Sequence, residues 1–448
     1  MTAANFISAR DLFLSHHWKR YPPFEKQNQF GDRSYKCGRV VGRDREEFVI
    51  REANSSERFE IRLRPEEMNW HRSGLREPSA LESAPPVHEV LRVGDWIGIS
   101  QVAGPASGSD FGRIAAKNEC ILFSPCLRPV AIQEADLLLD KTKSWGDFLN
   151  SVRQFFLQRD FSEATTPSLA VSPGTEPFLE PLAVDIEFSG ETFRRYLVTS
   201  PEFHLKKILG AGQPRVFEIA KCFRNKEGGD HHRIEFFMLE WYRSFAALDE
   251  IAADVEALIQ KFSPNQSLER KTMSELFREY VDFDLKADTG REDLVRVAAR
   301  LGVRALREDT FDDLFHKIFL EKIELKLRER NSDGPVLITG YPPSQAALSR
   351  IGETGFAERF EVYWRGLELC NAFHELNDPA ENKKRFDRDN FLKNQSGRPT
   401  VPLDEELMRT FDHGVPPAAG IALGLERLYM ASFEVESIEL VRPFSAFV

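Results

Sequence analysis

The sequence predicts an α+β protein in which a small β-barrel precedes a larger domain made of an antiparallel sheet flanked by helices. Three observations carry this expectation. Five short β-like runs with turn signals between them crowd into residues 1–130, the pattern of a small barrel. Two later stretches, 216–244 and 359–378, each read as a pair of alternating strands joined by a turn, which makes hairpins and hence an antiparallel sheet. Segments with apolar residues at helical spacing lie between and beside these hairpins. The boundaries that follow are 1–130 for the barrel, 131–144 for a linker and 145–448 for the larger domain, with a helical insertion over about 264–335.

A chain of 448 residues has room for two or three domains, and a hydrophobic content of 42% supplies their cores. The formal charge of −11 is unevenly spread: 19 basic residues face 17 acidic ones through Val130, and 41 face 54 beyond it. That balance excludes an indiscriminate nucleic-acid binder, though it leaves room for a local basic patch. The five cysteines, Cys37, Cys120, Cys126, Cys222 and Cys370, form no CxxC pair. Neither a zinc site nor a disulfide framework is expected, and a reducing cytoplasm fits. No apolar run is long enough for a membrane span, and the start of the chain lacks the basic-then-apolar order of a secretion signal.

In chain order, 9–17 reads as a short helix. The strands at 35–42, 47–53, 58–64, 91–100 and 119–124 follow, with a long gap at 73–88 and a glycine-rich turn at 104–112. Phe148, Val152, Phe155 and Phe156 stand at i, i+4, i+7 and i+8 and predict an amphipathic helix over 145–159. A strand at 193–199 runs into Ser200-Pro201-Glu202, where serine suits an N-cap and proline the first helical position. In the hairpin of 216–225 and 235–244, alternation puts Glu218, Arg224, Glu240 and Tyr242 on one face. Phe217, Ile219, Phe223, Phe237, Leu239 and Trp241 take the other, so one face is core and the other collects charge. Leu248, Ile251, Ala252, Val255, Leu258, Ile259 and Phe262 make one stripe of a helix over 247–262. Helices are expected over 272–330, where His316 sits among apolar neighbours and reads as structural.

The second hairpin, 360–364 and 367–373, turns at Arg365-Gly366. A two-residue loop opposes Tyr363 to Glu368 and Glu361 to Cys370. Glu361 and Glu368 then share a face as diagonal neighbours roughly 7–8 Å apart. Carboxylates that close repel unless a cation lies between them, and Mg²⁺ takes oxygen ligands at about 2.1 Å. Near the end of the chain, GIALGLERLYM marks a strand that meets a helix at Gly424, where a glycine lets the backbone approach a ligand closely.

FRN, a polar loop and EFFMLEWYR together resemble motif 2 of the class II aminoacyl-tRNA synthetases, closest to the lysyl branch. The 145–159 helix with FSEATTPSL and Pro167 resembles motif 1, and GIALGLERLYM resembles motif 3. LRVGDWIGI, followed by CLRPV, resembles the OB domain that class IIb synthetases place before their catalytic domain. The catalytic resemblance covers roughly residues 145–448. It implies ATP-dependent activation of lysine or (R)-β-lysine as an acyl-adenylate by a homodimer that uses ATP and Mg²⁺. Arg224 on the α-phosphate and Arg427 on the γ-phosphate are the implied catalytic pair, because a planar guanidinium answers charge that builds on phosphorus. Asn225, Lys226, Glu227, Arg233, Glu368, Leu369 and Gly424 are implied at the nucleotide, and Glu361 and Glu368 on the metal. Ser200, Pro201 and Glu202 are implied at the amino-acid substrate, with Glu202 on its amino group, Glu240, Tyr242 and Glu375 at its side-chain ammonium, and Asn371 and Ala422 beside them. Lys226 departs from the family, which has an acid there. Either Glu227 takes over adenine reading or ATP recognition is altered.

Two branches of the family fit. Lysyl-tRNA synthetases usually have glycine where this chain has Ala422, whereas the ligases that modify bacterial elongation factor P carry alanine, which favours (R)-β-lysine. TSPEFHLKKIL, YPPSQAALSRI, ERFEVYWRGLEL and FHELNDPAENKKRFDRDN also resemble the ligases. Their acceptor would be a lysine of elongation factor P. The front domain, which those ligases lack, keeps tRNA open as the alternative acceptor. Phe48 matches an aromatic position of the anticodon-binding domain, but Glu60 stands where that family has glutamine and would repel RNA. A third reading is a non-catalytic amino-acid sensor, favoured only by Lys226.

Overall fold

The computed structural model describes residues 132–330 and 334–444, and before them the strands at 29–30, 33–43, 48–52, 60–63, 68–70, 96–100 and 118–124 with Leu91 and Asp95. The chain divides into two compact units, Met1–Asp140 and Lys141–Val448.

In the first unit the five expected strands are Arg33–Arg43, Phe48–Glu52, Glu60–Leu63, Trp96–Ser100 and Asn118–Ser124, joined by Gln29–Phe30 and Met68–Trp70. They form one seven-stranded sheet, with Arg33–Arg43 between Phe48–Glu52 and Trp96–Ser100. Phe48 is 1% exposed and packs as a core residue, so its ring is not offered to a base. The helix expected at 9–17, the gap at 73–88, the turn at 104–112 and the side chain of Glu60 lie outside the described residues.

The stretch expected as a linker over 131–144 is helical from Ile132 on. One helix, Ile132–Leu157, runs through it. Nothing in QEADLLLDKTKS breaks a helix, and a helix propagates through it once a nucleus exists.

The second unit is built on an eight-stranded mixed sheet in the order Glu269–Thr272, Val336–Tyr341, Ala357–Trp364, Leu367–His374, Ala418–Gly424, Glu235–Ser244, Arg215–Phe223, Ser162–Glu163. The inner pairs are antiparallel, and the outermost pair at each end is parallel. Helices Ile132–Leu157, Leu248–Phe262 and Leu425–Phe433 cover one face, where Phe148, Val152, Phe155 and Phe156 meet Phe217, Leu239, Trp241 and the Ile251, Val255, Leu258 stripe. Phe156 stacks on Phe217 with ring centroids 4.9 Å apart. The expected division of the first hairpin is therefore present, with Phe217 opposite Trp241 on the core face and Glu218 opposite Glu240 on the other. The insertion has its own core around Met273, Leu276, Phe277, Leu294, Phe315 and Ile323.

Two local readings are corrected. Helix Glu202–Gly210 has Pro201 as its N-cap residue, one position later than expected, although the Ser200 hydroxyl still accepts the Glu202 N–H at 3.0 Å. In the second hairpin Tyr363 opposes Glu368 as expected, but Glu361 opposes Asn371 and not Cys370, because Leu369 is bulged out of register. An extra residue shifts the pleat by one. It thereby returns Glu368 to the side of Glu361. The turn itself fits its sequence: Arg365 and Gly366 both have positive φ, 51° and 73°, as a tight two-residue hairpin of this type requires.

Candidate functional site

One rung of the sheet organises the site. Glu361, Asn371, Ala422, Glu240 and Glu218 are successive cross-strand partners over five strands. Their common face lies opposite the helix-covered core and bears a cavity of about 300 Å³. Ser200, Glu202, Arg224, Glu227, Arg233, Glu240, Glu368, Leu369, Asn371, Ala422, Gly424 and Arg427 all line it. The structure thus gathers residues from four separate stretches of sequence, all expected together.

The cavity has a basic end. Arg224 leaves the first hairpin with its guanidinium over the Phe236 ring at 5.1 Å, and its buried Nε has no hydrogen-bond partner. A guanidinium left with an idle, buried donor fits an anionic ligand. Arg427, on the first turn after Gly424, donates to the Glu368 carbonyl at 2.8 Å and pairs with His232 Nε2 at 2.5 Å. Burial, and then the charge of Arg427, lower the His232 pKa to about 4, so the ring is neutral and its Nε2 accepts. The sequence reading did not assign His232 a role in the site.

The other end is acidic. Glu240, 1% exposed, accepts the Ser200 hydroxyl at 2.5 Å and the Tyr242 hydroxyl at 3.4 Å. Burial raises its pKa well above the ordinary carboxylate range. Tyr242 packs against Gly420, where an added Cβ would lie 2.1 Å from the tyrosine ring, so this position admits only glycine. Lys206 was missed from the sequence. Its ammonium, 2% exposed, sits 2.6 Å from Glu202 and 2.7 Å from Glu375. The signal was available, since Glu202 and Lys206 are i and i+4 on one helix. Glu375, expected to hold the ammonium of a ligand, holds an internal one. Neither it nor Tyr242 nor Pro201 is on the cavity wall.

Asn225 and Lys226 also leave the cavity. Lys226 adopts a left-handed φ of 63° and turns outward to Glu180 at 2.6 Å, while Asn225 donates to the same carboxylate at 2.8 Å. Glu227, the next residue, lines the cavity instead. Arg233 is on the wall too, but its guanidinium is clamped by Glu439 at 2.6 and 3.1 Å.

Glu361 lies on a neighbouring cavity of about 400 Å³, which shares Glu368, Arg427, His231 and His232 with the first. Its carboxylate is fully engaged, by the Arg359 guanidinium and by the hydroxyls of Tyr341 at 2.6 Å and Tyr363 at 2.9 Å. Glu368 is freer, with Arg427 3.9 Å away. Burial, and then Glu361, raise its pKa to about 7. Such a carboxylate, strained by a like charge, fits one ligand position of a divalent cation. Glu361 fits only if its present partners let go. Among the described residues no cluster of three or more His, Cys, Asp or Glu side chains is arranged for a metal.

An antiparallel sheet that carries one arginine on a hairpin, another on the helix after a Gly-bearing strand, and acids between them defines an adenylate-forming synthetase fold. The family of class II tRNA synthetases (D, K and N) matches residues 140–447, and the chain belongs to it. Its relatives include an elongation factor P–(R)-β-lysine ligase of Edwardsiella ictaluri, 36% identical over 307 residues, which are 67% of this chain and 93% of that protein. Proteins of the same name from Haemophilus ducreyi and Vibrio atlanticus are 35% and 34% identical over 65% and 68% of this chain, and 90% and 95% of their own lengths. No helix among the described residues is long and apolar enough to cross a membrane.

Proposed function

We propose that this chain is a ligase that activates lysine or (R)-β-lysine with ATP and passes the acyl group to a lysine of elongation factor P. The observation that carries the reading is the polarity of one cavity, with unpaired guanidinium at one end and buried carboxylates at the other. A dibasic amino acid fits it with its ammoniums among the acids and its carboxylate toward the arginines. Joining that carboxylate to the α-phosphate expels pyrophosphate, and attack by the acceptor amine then releases AMP. No side-chain nucleophile is required. Arg224 and Arg427 stabilise charge as it develops, and Glu202 and Glu240 orient the amino acid. Mg²⁺, where Glu368 holds it, would neutralise phosphate charge. In this reading Glu227 reads adenine, supported by its position on the cavity wall while Lys226 pairs with Glu180. The names of the relatives support elongation factor P as acceptor. The burial of Phe48 speaks against reading of an anticodon by that ring.

The test is ATP–pyrophosphate exchange with lysine and (R)-β-lysine, followed by transfer of the labelled amino acid to elongation factor P or to tRNA. Exchange with either amino acid and label on elongation factor P are expected. Label on tRNA alone would make the chain a tRNA synthetase, and no exchange with any amino acid would leave a non-catalytic binder.

A further inference from the structure

We infer that Arg359 stands in for the metal: its guanidinium holds the oxygen of Glu361 that a divalent cation needs, so without nucleotide Glu368 is the one carboxylate of the pair open to it. This rests on the proposed placement of Mg²⁺ at Glu368 and says what keeps Glu361 from joining it.

Arg359, Glu361 and Tyr363 occupy alternate positions of the strand Ala357–Trp364. A period of two brings all three to one face, where they line the cavity of about 400 Å³ with Glu368 and Arg427. The two oxygens of Glu361 are divided between different partners. Its Oε2 accepts the hydroxyls of Tyr341 at 2.6 Å and Tyr363 at 2.9 Å, and its Oε1 accepts Nη2 of Arg359. The hydroxyls are neutral, and such outer partners commonly stay on a carboxylate whose other oxygen binds a metal. A guanidinium on Oε1 is different, because it would put a like charge against the incoming cation. Only the guanidinium has to let go.

Arg359 is held as a resident cation. It is 7% exposed, Nη1 donates to the Gln345 carbonyl at 2.5 Å, and the guanidinium lies 4.3 Å from the centroid of the Tyr341 ring. Its charge acts on Glu368 as well as on Glu361. It therefore supplies the neutralisation that two carboxylates on one face require, and that the sequence reading gave to a metal. Its Nε, however, is buried with no hydrogen-bond partner. An idle buried donor costs free energy, which an anion in the cavity would recover. Phosphate oxygens are such an anion, and a planar guanidinium suits them. With phosphate present Arg359 has a second anion to turn to, and Oε1 of Glu361 comes free. The second carboxylate is thus made available together with the nucleotide and not before it.

The test uses the full-length protein without nucleotide, and Mn²⁺ alone as the probe, with binding read by electron paramagnetic resonance. Arg359→Met is expected to tighten Mn²⁺ binding by about 10- to 100-fold, the range over which groups around metal ligands move affinity. An arginine that merely oriented Glu361 would give the opposite sign, since its loss would weaken binding. Arg359→Lys keeps a cation in the cavity but loses the fork that spans Glu361 and Gln345. It should tighten binding less, by roughly 3- to 10-fold, and it carries the test if Arg359→Met fails to fold. Adding Glu361→Gln to either variant should erase the gain. Unchanged or weaker binding in the Arg359 variants, a gain that survives Glu361→Gln, or no Mn²⁺ binding by any of these proteins would overturn the assignment. The expected pattern in a protein that shows no pyrophosphate exchange would uphold the role of Arg359 and defeat only the proposed activity. Exchange without the pattern would do the reverse.

Discussion

Replacing Lys206 with methionine tests the internal ion pairs of the acidic end. The change keeps the volume of the side chain and removes its charge. Lys206 is 2% exposed and Glu375 3%, so the loss strands a buried carboxylate, and Glu202 at 15% is little better hydrated. Breaking a buried pair from one side costs about 3–5 kcal/mol. Unfolding a unit the size of Lys141–Val448, about 300 residues, changes entropy by roughly 0.6 kcal/mol/K. The thermal midpoint at pH 7.5 should therefore fall by about 5–8 °C. The pH dependence has a definite sign. Burial alone would lower the pKa of Lys206, but Glu202 and Glu375 outweigh it and hold it above the ordinary lysine value. Its contribution is thus fully present at neutral pH and is lost only in strong alkali. Glu375 is already raised to about 7 by burial, against the pull of Lys206. Without Lys206 it rises further, above neutrality, so it is fully protonated at pH 5.5 and still partly ionised at pH 7.5. The gap between wild type and Lys206→Met should therefore be wider at pH 7.5 than at pH 5.5. Midpoints within about 2 °C at pH 7.5, or a wider gap at pH 5.5, would refute the reasoning.

Three further outcomes are expected. Arg224→Ala and Arg427→Ala should each lower the rate of pyrophosphate exchange by about 10²- to 10³-fold, with thermal midpoints near wild type, because each removes charge stabilisation in the transition state. Glu227→Ala should raise the KM for ATP by about tenfold or more, while Lys226→Ala leaves it within about twofold, measured by exchange at saturating amino acid. Amino-acid affinity should climb between pH 5.5 and pH 7.5 and then level off. Glu176, on the cavity wall and raised to about 6, must be ionised to attract ammonium, so binding releases protons. Calorimetry in buffers of different ionisation enthalpy reads that release directly.

What the sequence made legible was periodic. Alternation in the first hairpin sorted Phe217 and Trp241 from Glu218 and Glu240, and the structure keeps that division. Helical spacing found Phe148 to Phe156 and Ile251 to Ile259. The local signals that failed were those carried by a single residue out of phase. Leu369 bulges, which no alternation pattern reveals, and so Glu361 met Asn371. The 131–144 stretch has Ile132, Ala135, Leu138 and Leu139 at helical spacing, but its many charged and polar residues hid that stripe, and the helix through it was read as a linker. Glu176 and Glu180 lie in a loop placed by contacts with residues about 200 positions away, such as Thr175 with Asp389. Nothing local encodes such a placement.

Lys206 changes what the acidic end of the cavity means. The resemblance implies three carboxylates as cation ligands, Glu202, Glu240 and Glu375, and the structure adds a fourth, Glu176, on the cavity wall. In the structure they are graded. Glu375 is spent on Lys206 and takes no place on the wall. Glu202 gives its Oε1 to the same ammonium, and its direction is fixed by that contact. Glu240 is steered by two hydroxyls, and Glu176 has no donor among the described residues. Discrimination in a charged pocket depends on how much a wrong ligand leaves unpaired. A pocket of four loose acids would take any cation and relax around it. One in which an internal ammonium fixes two of them offers a ligand a few acceptors at set positions, and a neutral competitor leaves those acceptors buried and alone.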